Sequence, residues 1–252
     1  MISALALSAA LSAAPAAEPP RSVYRIHPAD WAVIGAGALA SFLPWALEDD
    51  IIDLRCPCDP DEVPRFERFA IGLESDAATA ASNVTVALAV LVPPAADLLV
   101  LGWSRPLLED AVVLAETLAV NGAVVTVVKY AVQRPIPLAY AGDPHYVKEP
   151  GSYRAFWSGH ASTTFAALTA AAWTIRLRHG ERVWPWIVAG VVGASVAVER
   201  VAGGHHFPSD VVVGALAGAA LGTAIPLLHA RRDEPALSIV PARRGLALRG
   251  RF

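Results

Sequence analysis

Long apolar runs separated by short polar stretches dominate the chain. They lie near 30 to 47, 78 to 101, 109 to 129, 160 to 177, 183 to 201 and 209 to 229. Each approaches the ~20 residues that an α-helix needs to cross the hydrocarbon core of a bilayer. The pattern predicts an all-α fold, a polytopic membrane helical bundle with about six transmembrane helices. Pro44 in the first run, and Pro93, Pro94 and Asp97 in the second, predict kinks and soft boundaries. Glu116 and Asn121 lie inside the third run, and polar groups in lipid must find partners, so both are expected to join helices. The chain divides into an N-terminal segment (1–27), a membrane domain (28–229) and a basic C-terminal tail (230–252).

Composition agrees with this reading. With 55% hydrophobic and 17% charged residues, the 252-residue chain is too apolar for an average soluble domain. A net charge of -3 and the absence of a basic stripe with interleaved aromatics exclude a nucleic-acid partner. The distribution of charge says more than its sum. Arg176, Arg178 and Arg182 share one connection, and Arg231, Arg232, Arg243, Arg244, Arg249 and Arg251 follow the last run. Arg21 and Arg25 precede the first run, which puts these arginines on one side. The acidic 48 to 76 loop falls on the other. Positive charge favours the cytoplasmic side, so the expected setting is the bacterial inner membrane, with the acidic loop facing outward into the periplasm. Residues 1–17 read as a short signal-like apolar stretch with no preceding Lys or Arg. Its cleavage would invert that orientation, and the loop charges are preferred.

The connections differ in character. Residues 63–73 predict a short amphipathic helix at the interface, with Phe66, Phe69, Ala70 and Leu73 on one face. Residues 134–157, rich in Pro and Gly, form a loop too long to be a mere connection and are expected to carry function. Cys56 and Cys58 cannot fill a zinc site without a nearby His. They can pair in a small ring, and unremarkable loop residues is the preferred reading. No metal or cofactor is expected.

Chemistry concentrates in three stretches on the outward side. Arg200, His206 and Asp210 gather a cation, an imidazole and a carboxylate just before an apolar run. Such a set can hold a phosphoryl group, attack it and orient the attacking ring. Ser158-Gly159-His160 opens another run, with Ser158 as helix N-cap and free N–H groups suited to an anion. Pro208 suits the first helical turn, which lets Asp210 reach back to His206. Lys129 closes the third run and, with Lys148, is one of the chain's only lysines.

These residues resemble the three-part signature of the type 2 phosphatidic acid phosphatase superfamily, K-x6-R-P, P-S-G-H and S-R-x5-H-x3-D. The third part is met at Arg200, His206 and Asp210, with Glu199 in place of Ser. The second is met at Ser158, Gly159 and His160, with Trp157 in place of Pro. In the first, Ile136 stands where the family has Arg, seven beyond Lys129, whereas Arg134 lies five beyond. At ~100° per residue, +7 returns to the Lys129 face and +5 is offset by about 140°. Pro135 disfavours helix at Arg134, so the helix is expected to stop near Gln133 and let that guanidinium swing back.

The resemblance implies a membrane bundle that hydrolyses lipid phosphates without metal. His206 would be the nucleophile, His160 the leaving-group acid and Asp210 the residue that orients His206. Lys129, Arg134, Ser158, Gly159 and Arg200 would bind phosphate. The implied partners are a lipid phosphate substrate and membrane lipid. Two alternatives remain at this point: a non-catalytic lipid-phosphate-binding protein, and an enzyme like the vanadate-dependent haloperoxidases.

Overall fold

Each apolar run folds as a helix, in a computed structural model that describes residues 20–231, 237–242 and 245–250. The long helices are α1 (Pro28–Phe42), α2 (Asp76–Leu101), α3 (Arg105–Val132), α4 (Gly159–His179), α5 (Trp184–Ala202) and α6 (Pro208–His229). Their starts are written locally. Ser75 and Ser104 cap α2 and α3 by accepting the backbone N–H of Ala78 and Leu107, and proline occupies the first turn of α1, α3, α5 and α6. Such capping oxygens satisfy N–H groups that have no partner within the helix.

Five stretches are long and apolar enough to cross a membrane: Pro28–Ile51, Asp76–Leu101, Arg105–Tyr140, Trp184–Ala202 and Pro208–His229. Helix α4 matches them in length and is less apolar, because it is the centre of the bundle. It packs against α2, α3, α5 and α6, and Ser162, Thr164, Thr169 and Thr174 on it are buried against those neighbours. Without an unbroken lipid-facing surface, α4 does not need an unbroken apolar sequence.

Small residues set the approach of α6 to α4. A Cβ placed on Gly214, Gly218 or Gly222 would collide with the backbone carbonyls of Ser158, Ser162 and Ala166 respectively. This four-residue spacing of glycines is how membrane helices bring their backbones close. Polar side chains add cross-links. Asn121 accepts a hydrogen bond from Ser162 and donates to Thr163, tying α3 to α4. Glu116 lies 3.2 Å from His229 on α6, and Asp110 takes a two-pronged hydrogen bond from Arg178 at 2.8 and 2.7 Å. The expected joining role of Glu116 and Asn121 holds.

Three expectations change. The 63–73 segment is not an α-helix: only a 3-10 turn forms at Arg68–Ala70. Pro64 precedes this turn and Gly72 follows it with φ +82°, so Val63 and Ala70 turn inward while Phe66 and Phe69 stay exposed. Cys56 and Cys58 are joined to each other by a disulfide. The tail carries an antiparallel hairpin, β1 (Leu237–Ala242) with β2 (Gly245–Gly250), in which Leu237 faces Gly250 and Ala242 faces Gly245. The signal-like stretch at 1–17 lies outside the described residues.

Candidate active site

Four helix ends meet at one end of the bundle: the N-termini of α4 and α6 and the C-termini of α3 and α5. Between them and the 134–157 loop lies a cavity of about 370 Å³. Its walls include Lys129, Arg154, Gly159, His160, Arg200, His205 and His206. Five of the eight sequence-predicted residues therefore line one space: Lys129, Gly159, His160, Arg200 and His206.

The corner between α5 and α6 explains the spacing of Arg200, His206 and Asp210. Arg200 sits in the last turn of α5, and Gly203-Gly204 turn the chain. Gly204 has φ +74°, and any Cβ there would collide with the Leu73 carbonyl. The His205 N–H closes the corner on the Arg200 carbonyl at 3.2 Å. Phe207 then caps α6, its N–H donating to Asp210 Oδ2 at 2.8 Å.

His206 is held differently from expectation. Its Nδ1 lies 2.8 Å from the Ala155 carbonyl and 3.8 Å from Asp210 Oδ2. A carbonyl only accepts, so Nδ1 carries the proton. Burial lowers the imidazole well below its ordinary pKa, reinforced by Lys129, Arg200 and His160 and opposed by the Ala155 bond. The ring is thus neutral at pH 7, with the lone pair on Nε2, which has no protein partner among the described residues. Asp210 contributes from the next layer as a buried carboxylate at the helix start.

The cations divide by how they are occupied. Among the described residues, buried Arg200 makes only a 3.4 Å hydrogen bond to Ser82 Oγ and has no partner at Nε. Neither Glu199 nor Glu116 pairs with it among the described residues. Lys129 Nζ donates to the Arg154 carbonyl. Arg134, expected to bind phosphate, faces elsewhere. It holds Asp210 Oδ1 at 2.5 Å, Ser209 Oγ at 2.9 Å and Glu67 Oε2 at 2.9 Å, and its guanidinium covers the Phe207 ring at 4.2 Å. Helix α3 does stop at Val132, with Gln133 left-handed at φ 48°, and the released chain carries Arg134 to two buried carboxylates. Ser158 takes the predicted N-cap role and not the phosphate-binding one. It is fully buried, its Oγ caps Ala161 at 3.4 Å, and its N–H donates to the Asp210 carbonyl at 3.0 Å.

A model of the PAP2 superfamily matches residues 110–234, a span that contains all three signature stretches. This chain belongs to the PAP2 superfamily. Membership supports a lipid phosphatase of the PAP2 type. The crystal structure of Aquifex aeolicus LpxE is similar at 24% identity, over 64% of this chain and 92% of that one, with a TM-score of 0.47. No curated protein matches the sequence.

The PAP2 site contains residues that motif reading missed. Asn83 on α2 is one, its Oδ1 lying 2.8 Å from His160 Nε2; a lone Asn in an apolar run gave no signal beyond its polarity. His205 lines the cavity and lies 3.2 Å from Thr79 Oγ1. Burial and then Arg200 lower its pKa to about 4. Arg154 falls between motifs, inside the long loop that length alone had marked as functional.

Proposed function

We propose that the protein is a metal-independent phosphatase that hydrolyses a phosphomonoester or diphosphate of a membrane lipid through a phosphohistidine at His206. The active site faces outward, into the periplasm of a bacterial inner membrane. The hydrogen bond from His206 Nδ1–H to the Ala155 carbonyl carries this reading, because it leaves Nε2 unprotonated in a cavity walled by cations.

In the first step His206 Nε2 attacks phosphorus. The N–P bond forms as the bond from phosphorus to the lipid oxygen breaks, and His160 gives that oxygen a proton. The imidazolium so formed keeps its Nδ1–H on Ala155, with the Asp210 carboxylate 3.8 Å away to offset the charge. Lys129, Arg200 and the free N–H groups at Gly159 at the start of α4 hold the equatorial oxygens, where charge is spread in phosphoryl transfer. Water then attacks phosphorus, gives its proton to His160, and releases inorganic phosphate from His206. Orientation follows from charge: Arg176, Arg178, Arg182 and Arg231 lie at the opposite end of the bundle from the cavity, as cytoplasmic arginines do.

Sealed right-side-out membrane vesicles test chemistry and orientation together. With a short-chain lipid phosphate outside and a chelator present, the wild type is expected to release phosphate, and His206→Ala and His160→Ala are expected to lose release. Inverted vesicles should act only after detergent is added. Full activity in both variants would overturn the mechanism, and equal activity of sealed inverted vesicles would overturn the orientation.

A further inference from the structure

The family's first-motif arginine is absent at Ile136, yet the cavity does not lack a second guanidinium. We propose that Arg154 supplies it, binding the substrate phosphate from the loop segment opposite the vacated position. This rests on the phosphatase reading of the cavity and names a ligand for it that no signature position predicts.

Backbone register makes the exchange possible. The Ile136 N–H donates to the Ser152 carbonyl at 2.8 Å, and the Ala155 N–H donates to the Arg134 carbonyl at 2.9 Å. These two bonds bracket Arg154 and set it directly across from residues 134–136. Both Ile136 and Arg154 line the cavity. A side chain lost from one segment is thereby replaced from its hydrogen-bonded neighbour. Lys129, the retained cation of the first motif, donates to the Arg154 carbonyl and so fixes the two cations relative to each other.

The guanidinium is anchored and still free to bind. Its Nη1 is held by Glu48 at 2.9 Å and lies 3.2 Å from Tyr130 Oη. Nε is buried without a hydrogen-bond partner among the described residues. Nη2 lies beside Gly151, where an added Cβ would be 3.1 Å from it and 3.5 Å from Glu149 Oε1, so glycine leaves room between that donor and the carboxylate. An arginine fork held at one nitrogen, with no hydrogen bond at Nε or Nη2 among the described residues, suits two-pronged recognition of phosphate. Arg134 offers the contrast: both of its terminal nitrogens are committed to carboxylates.

The test is inorganic phosphate affinity, read as protection of the detergent-solubilised protein against thermal unfolding, alongside KM and kcat for a lipid phosphate. Arg154→Ala should weaken phosphate binding about 10- to 100-fold, as loss of hydrogen bonds to a charged group does. Arg154→Lys should fall between Arg154→Ala and the wild type. Glu48→Gln, which breaks the anchor and keeps the guanidinium, should change affinity less than about threefold. Ile136→Arg placed in Arg154→Ala should recover affinity, a rescue that a purely structural arginine would not permit. The proposal is overturned if folded Arg154→Ala binds phosphate within about twofold of the wild type, or if Glu48→Gln loses as much as Arg154→Ala. Wild-type turnover with unchanged phosphate binding in Arg154→Ala would fail this inference alone. Absent turnover in the wild type, with phosphate binding weakened by Arg154→Ala, would fail the phosphatase reading and leave the ligand assignment standing.

Discussion

Arg134 holds two buried carboxylates at once, and its role follows from that economy. Glu67 is 1% exposed and also accepts the Ser209 N–H at 2.6 Å, while Asp210 is fully buried. Removing their shared cation leaves both charges uncompensated, which typically costs roughly 3–5 kcal/mol when one partner of a buried pair is lost. Arg134→Ala is therefore expected to lower the unfolding temperature in detergent sharply, with a smaller effect on KM than Arg154→Ala has. An unchanged unfolding temperature with a raised KM would return Arg134 to the phosphate cradle. At this scale the sequence was legible where spacing sufficed. His206, His160, Arg200, Lys129 and Gly159 line the cavity because each sits at a helix end whose start or stop is written locally. Ser158 was legible as the N-cap of α4, whereas Arg134, Arg154 and Asn83 were not, because their positions depend on partners such as Glu67 and on the fold of the 134–157 loop. Helical angle at Lys129 places residues on α3 itself. It says nothing of a chain that has left the helix at Gln133.

Among the elements, the α4–α6 seam decides how well the site is held. Ser158 and Ser162 on α4 offer the carbonyls that Gly214 and Gly218 approach, so the seam fixes the start of α4 and with it His160. Gly218→Ala forces a methyl into that backbone, and overpacking of this kind costs about 1–3 kcal/mol. It should lower both unfolding temperature and phosphate release. Gly190→Ala on α5, where nothing lies within 4 Å of the added Cβ, should leave both unchanged. Equal tolerance at the two positions, measured by thermal unfolding, would mean that the helices adjust freely and the seam does not position His160. The long apolar runs made the six helices legible. The 63–73 segment was misread because its periodicity is helical while Pro64, Gly72 and the Arg68 bond to the Val63 carbonyl at 2.7 Å enforce turns. Periodicity also could not reveal that α4 is central, although its excess of Ser and Thr over the other runs is the sequence trace of that position.

Across the whole molecule, charge and chemistry are segregated along the bundle axis. The end bearing Arg176, Arg178 and Arg231 is tied together by ion pairs with Asp110, Glu109 and Glu181. The other end carries the cavity, covered on one side by the 48–62 segment through Glu48 and by the hydrogen bond from Cys56 N–H to Tyr153 Oη at 3.2 Å. A phosphate held there lies at a mouth near the bundle end, where a lipid headgroup can enter while its chains remain in the bilayer. The central claim is covalent: phosphorus passes from the lipid to His206 before it reaches water. Rapid acid-free quenching of the protein with a ³²P-labelled lipid phosphate tests it directly. The wild type should carry label that is stable in base and lost in mild acid, as a phosphohistidine is, and His206→Ala should carry none. Phosphate release by the wild type with no labelled protein at any time, or the same label persisting in His206→Ala, would contradict the account.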